Sequence, residues 1–257
     1  MKEQANRFPD SPRWAYGLDG YNYSREPLIR EIKTGSEVVG IVTRNAYDCE
    51  ILNTPLMLIA DVDLGDPRLN DGCFVQTERE ALLALRDAVS NPMQWLPKYQ
   101  QSYEVAYQGK SPLEPSFWDS SNRWIDQHRL GLGFRVYRTA GGLRYICTTH
   151  LWEAGRNSEN DFLRYVYSDY RYRRLCKAQQ TFRARLTPKP WRIRQECIEH
   201  PDRVEWRNKP GEGIARTAEY VKTVGSNVVL PELSGLLGTH DSTTLALIDH
   251  DVKTYLA

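Results

Sequence analysis

The sequence is organised around the stretch Leu58-Ile-Ala-Asp-Val-Asp63, in which a hydrophobic run ends in two aspartates. A nearly continuous apolar run is typical of a buried strand, so we predict a central strand over residues 56–63. Side chains two positions apart on a strand share one face and lie roughly 7 Å apart. The carboxylates of Asp61 and Asp63 should therefore stand side by side where the strand ends.

Two neighbouring carboxylates repel each other unless a cation lies between them. Oxygen ligands of this kind suit Mg²⁺ or Mn²⁺, and phosphoryl-transfer enzymes use such pairs to hold metal against a triphosphate. The pattern therefore favours a metal site at Asp61 and Asp63. The alternative is a strand that leaves the core into a polar turn, Asp63-Leu-Gly-Asp66.

The surrounding patterns predict alternating strands and helices. Before the aspartates, strands are expected at 37–43 and 48–52, and after them a capping box at Thr77–Glu80 opens a helix that stops at Asn91-Pro92. A hairpin around Ala140-Gly-Gly142, helices at about 158–167 and 169–180 and a strand at 182–186 follow. This order favours an α+β fold, a mostly antiparallel sheet with helices on one face.

The ends of the chain are expected to elaborate this core. Residues 1–36 are rich in turn residues and should wrap the domain, while strands are expected at 204–207 and 218–224. No regular element is assigned to the tail beyond them. We treat residues 1–257 as a single domain whose motif-bearing core spans about 37–192.

Composition places the chain among globular proteins of the cytoplasm. Hydrophobic residues make up 40% and charged residues 26% of 257 positions, and no apolar run approaches the roughly 18 residues that a membrane span requires. The N-terminus lacks the apolar segment of a secretion signal. Five widely spaced cysteines indicate reduced thiols rather than a disulfide framework.

The net charge is only +1, but basic residues are concentrated in one segment. Residues 164–194 contain ten Lys and Arg against one acid, Asp169, a local excess of nine. Such a block can form a phosphate-binding face, because the local field matters more than the total charge. A solvated helix face balanced by acids elsewhere in the fold is the other interpretation.

Two further segments carry candidate phosphate-binding groups. In the turn Tyr137–Ile146, Gly141 and Gly142 would let backbone amides approach a phosphate, with Arg138 and Arg144 on either side. The segment Phe182–Arg192 alternates Arg183 and Arg185 onto one strand face and then presents Lys189, while Phe182 or Trp191 could stack on a base. The simpler interpretations are a hairpin turn and arginines that pair with surface acids.

Taken in order, these segments resemble the archaeo-eukaryotic primase superfamily, which includes the bacterial primase-polymerases. The family's Asp-x-Asp motif is matched by Asp61 and Asp63, its Gly-rich turn by Thr139–Arg144, and its late acid and basic segment by Asp169 and Arg183–Lys189. The resemblance implies an RRM-like antiparallel sheet with flanking helices. It implies Mg²⁺ or Mn²⁺ held by Asp61, Asp63 and Asp169, with nucleoside triphosphates and DNA or RNA as partners.

Arg144 stands where the family has a histidine that contacts the phosphates of the incoming nucleotide. This difference leaves two activities open beside nucleotidyl transfer: a nucleotide- or nucleic-acid-binding module without catalysis, and a metal-dependent nuclease that uses the same carboxylates.

The five histidines show no zinc-site spacing. The doublet His240-Asp241 is typical of some metal-dependent phosphohydrolases, but Gly238 and Thr239 favour a loop there, so we set it aside.

Overall fold

The computed structural model describes residues 26–65, 75–91, 95, 131–155, 157–193, 195–200, 203–208, 214–248 and 252–257. Of these, residues 157–160, 195–200 and 203–208 are described by their backbone alone. Expectations for residues 1–25 and, apart from Trp95, for the excursion after Asn91 lie outside the described residues. Within those ranges no helix has the length and apolar character that crossing a membrane demands.

The described chain is α+β and mostly antiparallel, as predicted. Its strands are listed here in order: β1 Leu28–Thr34, β2 Glu37–Arg44, β3 Glu50–Thr54, β4 Ile59–Asp63, β5 Gly133–Thr139, β6 Gly142–Cys147, β7 Phe182–Arg185, β8 Gln195–His200, β9 Arg203–Asn208, β10 Ile214–Arg216, β11 Ala218–Gly225 and β12 Thr254–Leu256. The helices are α1 Glu78–Ser90, α2 Asn157–Tyr165, α3 Tyr170–Gln179 and α4 Pro231–Thr244, with a 3₁₀ turn at Pro190–Arg192.

The two largest sheets of the described residues have four strands each, one in the order β1-β2-β3-β7 and the other in the order β11-β5-β6-β4. In the second sheet β4 and β5 each pair antiparallel with β6, and α1 connects β4 to β5. With β6 between β4 and β5, this β-α-β-β order agrees with the first three strands of an RRM-like sheet, whereas the fourth strand, β11, adjoins β5 and not β4. Two elements differ from the prediction: β4 is the edge strand of its sheet rather than a central one, and residues 28–34 form β1 rather than a turn-rich wrap.

Helix α1 begins where the sequence places it. Thr77 and Glu80 form both hydrogen bonds of the capping box, and the helix ends at Ser90 before Asn91. The exposed Glu80 carboxylate accepts backbone hydrogen bonds at the start of the helix, which lowers its pKa. Because the apolar positions share one stripe, Ala81, Leu85 and Ala88 are buried against the sheet.

Helices cover both faces of the β11-β5-β6-β4 sheet, not one face as expected. On one face Arg138 of β5 pairs with Glu78 of α1, whereas the adjacent Tyr137 points to the other face and packs against His240 of α4 at 4.7 Å between ring centroids. Helix α4, which occupies part of the tail left unassigned, also lies against β1 and β2. Every residue of β6 is buried as a result.

The core is aromatic where α2 meets the sheet. The rings of Phe134 and Phe162 stack with centroids 5.1 Å apart, and Trp95 and Trp152 pack beside them. Cys49, Cys147 and Cys176 are buried and reduced.

Candidate functional site

The two aspartates of β4 share one face, as the strand period predicts. Within Ile59–Asp63 the apolar residues are buried, whereas Asp61 and Asp63 are partly exposed. Asp61 lies opposite Arg144 of β6, and Asp63 lies opposite Gly142. Both carboxylates therefore reach the same side of the sheet, next to the turn between β5 and β6.

Arg144 is the direct partner of Asp61. Its Nε donates to Oδ1 at 2.7 Å and its Nη2 to Oδ2 at 3.0 Å, while the Arg144 side chain is only 2% exposed. Its Nη1 donates to the carbonyl oxygen of Arg185 at 3.0 Å. The resemblance placed Arg144 on a ligand's phosphate, but in the structure its guanidinium is engaged by groups of the protein.

Behind Arg144 a buried polar network continues into α4. Nη1 of Arg144 lies 3.3 Å from Nε2 of His240, whose Nδ1 lies 2.9 Å from the Asp241 carboxylate. Asp241 also accepts from Tyr137 Oη and Arg135 Nη1. Because an arginine can only donate, Nε2 of His240 must accept and Nδ1 must carry the proton.

Burial lowers the pKa of His240, and the positive charge of Arg144 lowers it further against the opposing hydrogen bond from Asp241. The ring is therefore neutral near pH 7. The prediction of a loop here is wrong, because Gly238 and Thr239 lie inside α4. The doublet was visible in the sequence, but nothing local indicated that it packs under Arg144.

Asp169 joins the pair on β4, although it lies more than a hundred residues away in sequence. Its backbone N–H donates to the carbonyl of Asp61 at 2.8 Å, and Ser168 Oγ donates to the same oxygen at 2.9 Å. Its own carboxylate accepts from the backbone of Tyr172 at 2.7 Å and caps α3. The structure therefore places Asp169 next to Asp61, and Asp63 follows Asp61 on the same face of β4.

The three carboxylates repel one another. Burial, with the charges of Asp61 and Asp169 contributing, raises the pKa of Asp63 to about 6. Burial also raises the pKa of Asp169, with Asp61 contributing and the hydrogen bond from Tyr172 opposing. Arg144 alone does not neutralise the negative charge of the three carboxylates.

Facing the acids is a group of cations, Arg185, Lys189 and Arg192, which we call the basic cluster. Burial lowers the pKa of Arg185, and Arg144 and Arg192 lower it further. Burial likewise lowers the pKa of Lys189, with Arg185 and Arg192 contributing. Among the described residues, Nε of Arg185 and Nη1 of Arg192 are buried without a hydrogen-bond partner. Arg192 lies in the basic segment 164–194, but nothing in the sequence distinguishes it from the other cations there.

The basic cluster and the acids are close enough to interact. The charges of Lys189 and Arg185 lower the pKa of Asp63, although they do not cancel the effects of burial and of the other acids. A small area of negative charge thus lies beside a small area of positive charge. Within each area the like charges repel one another.

The glycine turn serves close packing against β4. A Cβ on Gly142 would lie 2.1 Å from the carbonyl oxygen of Val62, and one on Gly141 would lie 3.0 Å from Oδ1 of Asp63. The carbonyl of Gly141 accepts from the backbone of Leu64 at 3.1 Å. Glycine at both positions lets the turn approach Asp63, a role the sequence alone did not distinguish from cradling a phosphate.

Two predicted phosphate ligands lie elsewhere. Arg138 is on the opposite face of the sheet, where it pairs with Glu78 and Glu219. Arg183 is buried and donates to Glu26 and Gln179. Period-2 alternation along β7 relates Arg183 to Arg185 but does not reveal which partners each one meets. Neither Arg138 nor Arg183 belongs to the basic cluster.

The two aromatic residues proposed to stack on a base also separate. Phe182 is fully buried in the core, whereas Trp191 is 48% exposed. Of these two rings, Trp191 alone reaches solvent, beside the basic cluster.

In the part of the chain that the structure describes, no three His, Cys, Asp or Glu side chains are arranged to bind a metal ion. The chemistry of Asp61, Asp63 and Asp169 nevertheless fits a hard divalent cation, since their mutual repulsion is what such a cation relieves. Comparison of the chain with protein-family models, with curated proteins and with solved structures gave no significant match.

Proposed function

We propose that this chain is a metal-dependent nucleotidyltransferase of the primase-polymerase kind, which adds nucleotides to a nucleic-acid strand. One observation carries the proposal: the three repelling carboxylates, Asp61, Asp63 and Asp169, lie beside the three repelling cations of the basic cluster. In a divalent cation bound to a triphosphate, the metal is positive and would meet the acids, while the phosphates are negative and would meet the basic cluster. Its binding would relieve both repulsions at once.

The roles of the side chains follow from their charges. Asp61, Asp63 and Asp169 would hold Mg²⁺ or Mn²⁺, which when bound supplies charge neutralisation at the reacting phosphate. Arg185, with a partnerless buried Nε, and Lys189 would hold the remaining phosphate oxygens. Arg144 would orient Asp61 through hydrogen bonds to both of its carboxylate oxygens. Positioning and charge stabilisation account for most catalysis of phosphoryl transfer.

Protonation of Asp63 sets a lower pH limit for this role. With a pKa of about 6, Asp63 is largely ionised at pH 7.5 and largely neutral at pH 5. A protonated carboxyl is a poor ligand for a hard cation. Metal-dependent activity should therefore rise through pH 6 as Asp63 loses its proton.

A second candidate is a nucleotide- or nucleic-acid-binding module without catalysis. The bidentate hold of Arg144 on Asp61 favours it, because the guanidinium competes with a cation for both carboxylate oxygens. In that case the basic cluster would bind phosphates, and Asp61 would serve only as the partner of the buried Arg144.

The test is nucleotide incorporation by the whole chain. We would incubate the protein with Mn²⁺, labelled nucleoside triphosphates and a single-stranded template, and compare wild type with Asp61→Ala, Asp63→Ala and the matched control Glu232→Ala, an exposed acid on α4. The proposal expects product from wild type and the control but not from the two site variants. Nucleotide binding without product would establish the second candidate, and Asp61-dependent template degradation would point to a nuclease.

A further inference from the structure

Beside the basic cluster two aromatic side chains form an exposed pair. Tyr47 is 58% exposed and Trp191 is 48% exposed, and their rings meet edge to face with centroids 5.2 Å apart. Nζ of Lys189 lies 5.3 Å from the centre of the Trp191 ring. We refer to Tyr47 and Trp191 as the aromatic pair.

The aromatic pair is held in place by backbone interactions on both sides. The amide nitrogens of Tyr47 and Cys49 donate to the Asn45 side chain at 3.0 Å each, which fixes the turn between β2 and β3. The strand that leads to Trp191 is tied to β3, since Leu186 N donates to Glu50 O at 2.8 Å. Trp191 itself lies in the 3₁₀ turn Pro190–Arg192.

Two large aromatic rings in contact at the surface bury little apolar area against the protein and remain available to a ligand. The cations on the same segment favour a ligand that carries phosphates. Nucleic-acid strands combine both features, because each nucleotide offers a flat base and a charged phosphate. In a duplex the base faces are already stacked, so an open ring suits an unpaired base.

We infer that the aromatic pair is a stacking platform for an unpaired base of single-stranded nucleic acid, whose backbone phosphates then follow the basic cluster towards Asp63. This inference rests on the proposed function, since it assigns the strand-binding surface of the same site. It adds a ligand contact outside the acids and cations, at Trp191 above all. Lys189 connects the two parts through its contact with the indole.

The test compares two labelled strands of equal length by fluorescence anisotropy, one of oligothymidylate and one abasic. The abasic strand keeps the phosphates and lacks the bases. Wild type should bind the thymidylate strand about tenfold more tightly than the abasic one, as expected for one or two stacked bases. Trp191→Ala should abolish this difference, Trp191→Phe should retain most of it, and Leu83→Ala, an equally exposed apolar residue on α1, should leave it unchanged.

The outcomes separate the platform from the proposed function. Equal affinity of wild type for the two strands would overturn the platform, and a salt dependence that Arg185→Gln reduces would still support the phosphate site. Loss of the base preference in Trp191→Ala would support the platform. If Arg185→Gln then left the salt dependence unaltered, the phosphate site would be contradicted. Absence of binding to either strand would overturn both. Unfolding curves of each variant verify that the fold is intact.

Discussion

Arg144 holds both carboxylate oxygens of Asp61, with Nε–Oδ1 and Nη2–Oδ2 distances of 2.7 and 3.0 Å. The guanidinium is almost wholly buried between β6 and α4, whereas Asp61 remains partly exposed. A charge buried to this extent depends on its charged partner, because the neutral acceptors around it do not balance the charge that water would otherwise solvate. The pair therefore belongs to the fold as much as to the site.

Removing one member of this pair should destabilise the protein more than removing both. Asp61→Asn should lower the free energy of unfolding by about 3 to 5 kcal/mol, because it leaves the buried charge of Arg144 without its partner. In the double variant Asp61→Asn/Arg144→Met part of that loss should return. Urea unfolding of the two single variants and the double variant measures this coupling. Strictly additive losses would show that the two residues do not act as a pair.

The raised pKa of Asp63 predicts a stability that falls as the pH rises. The folded-state pKa of about 6 exceeds the ordinary value of 3.8, so the folded protein binds more protons between these values and loses stability as the pH increases through them. Asp63→Asn cannot ionise and should escape this loss, which gives it an advantage of up to about 3 kcal/mol above pH 7 and little at pH 4. Urea unfolding of both proteins across this range is the measurement. A pH-independent difference between them would contradict the shift.

His240 should give the opposite slope. Its pKa is lowered in the folded state, so the unfolded chain binds more protons once the pH falls below 6.5 and the folded protein then loses stability. His240→Gln, which has no titrating group, should not show this part of the pH dependence. Comparison of each variant with wild type separates the contributions of His240 and Asp63. An NMR titration in which His240 becomes protonated at its ordinary pKa would argue against the buried network.

Arg183 and Arg185 lie two residues apart on β7 and should behave oppositely. Arg183→Gln breaks a buried pair with Glu26 and should cost about 3 kcal/mol of stability without changing ligand binding. Arg185→Gln removes a cation that its neighbours repel, so it should preserve stability and weaken strand binding. The slope of log affinity against log salt should decrease by about 0.7 for Arg185→Gln alone. Equal slopes for wild type and Arg185→Gln would refute the claim that the basic cluster binds phosphates.

The sequence predicted the elements whose signals are local. The capping box of Thr77 and Glu80, the hairpin at Gly141 and Gly142 and the strand Phe182–Arg185 all form where their patterns place them. Convergence of Asp169 with Asp61 was expected from the resemblance, and the backbone hydrogen bond between them gives it a physical basis.

What the sequence did not reveal depends on contacts between distant segments. The register of β5 on β6 places Arg138 and Arg144 on opposite faces of the sheet, and the packing of α1 and α4 decides which face is the site. Helix α4 itself was missed because Gly235 and Gly238 weaken its helical pattern, although Pro231 at its start is a favourable residue there. Leu236 packs over Gly40 of β2, where a Cβ would lie 2.4 Å from its methyl group, so tertiary packing holds this helix.

The central claim is that the acids and the basic cluster receive a divalent cation and a triphosphate together. Binding of each should therefore strengthen binding of the other, and the two effects must be equal. Calorimetric titration of ATP into the whole chain, with Mn²⁺ and with a chelator, measures this coupling directly. The account predicts that Mn²⁺ tightens ATP binding at least about tenfold in wild type, a coupling of about 1.4 kcal/mol, and much less in Asp63→Asn. Equal ATP affinity with and without Mn²⁺, or the same increase in Asp63→Asn, would contradict it.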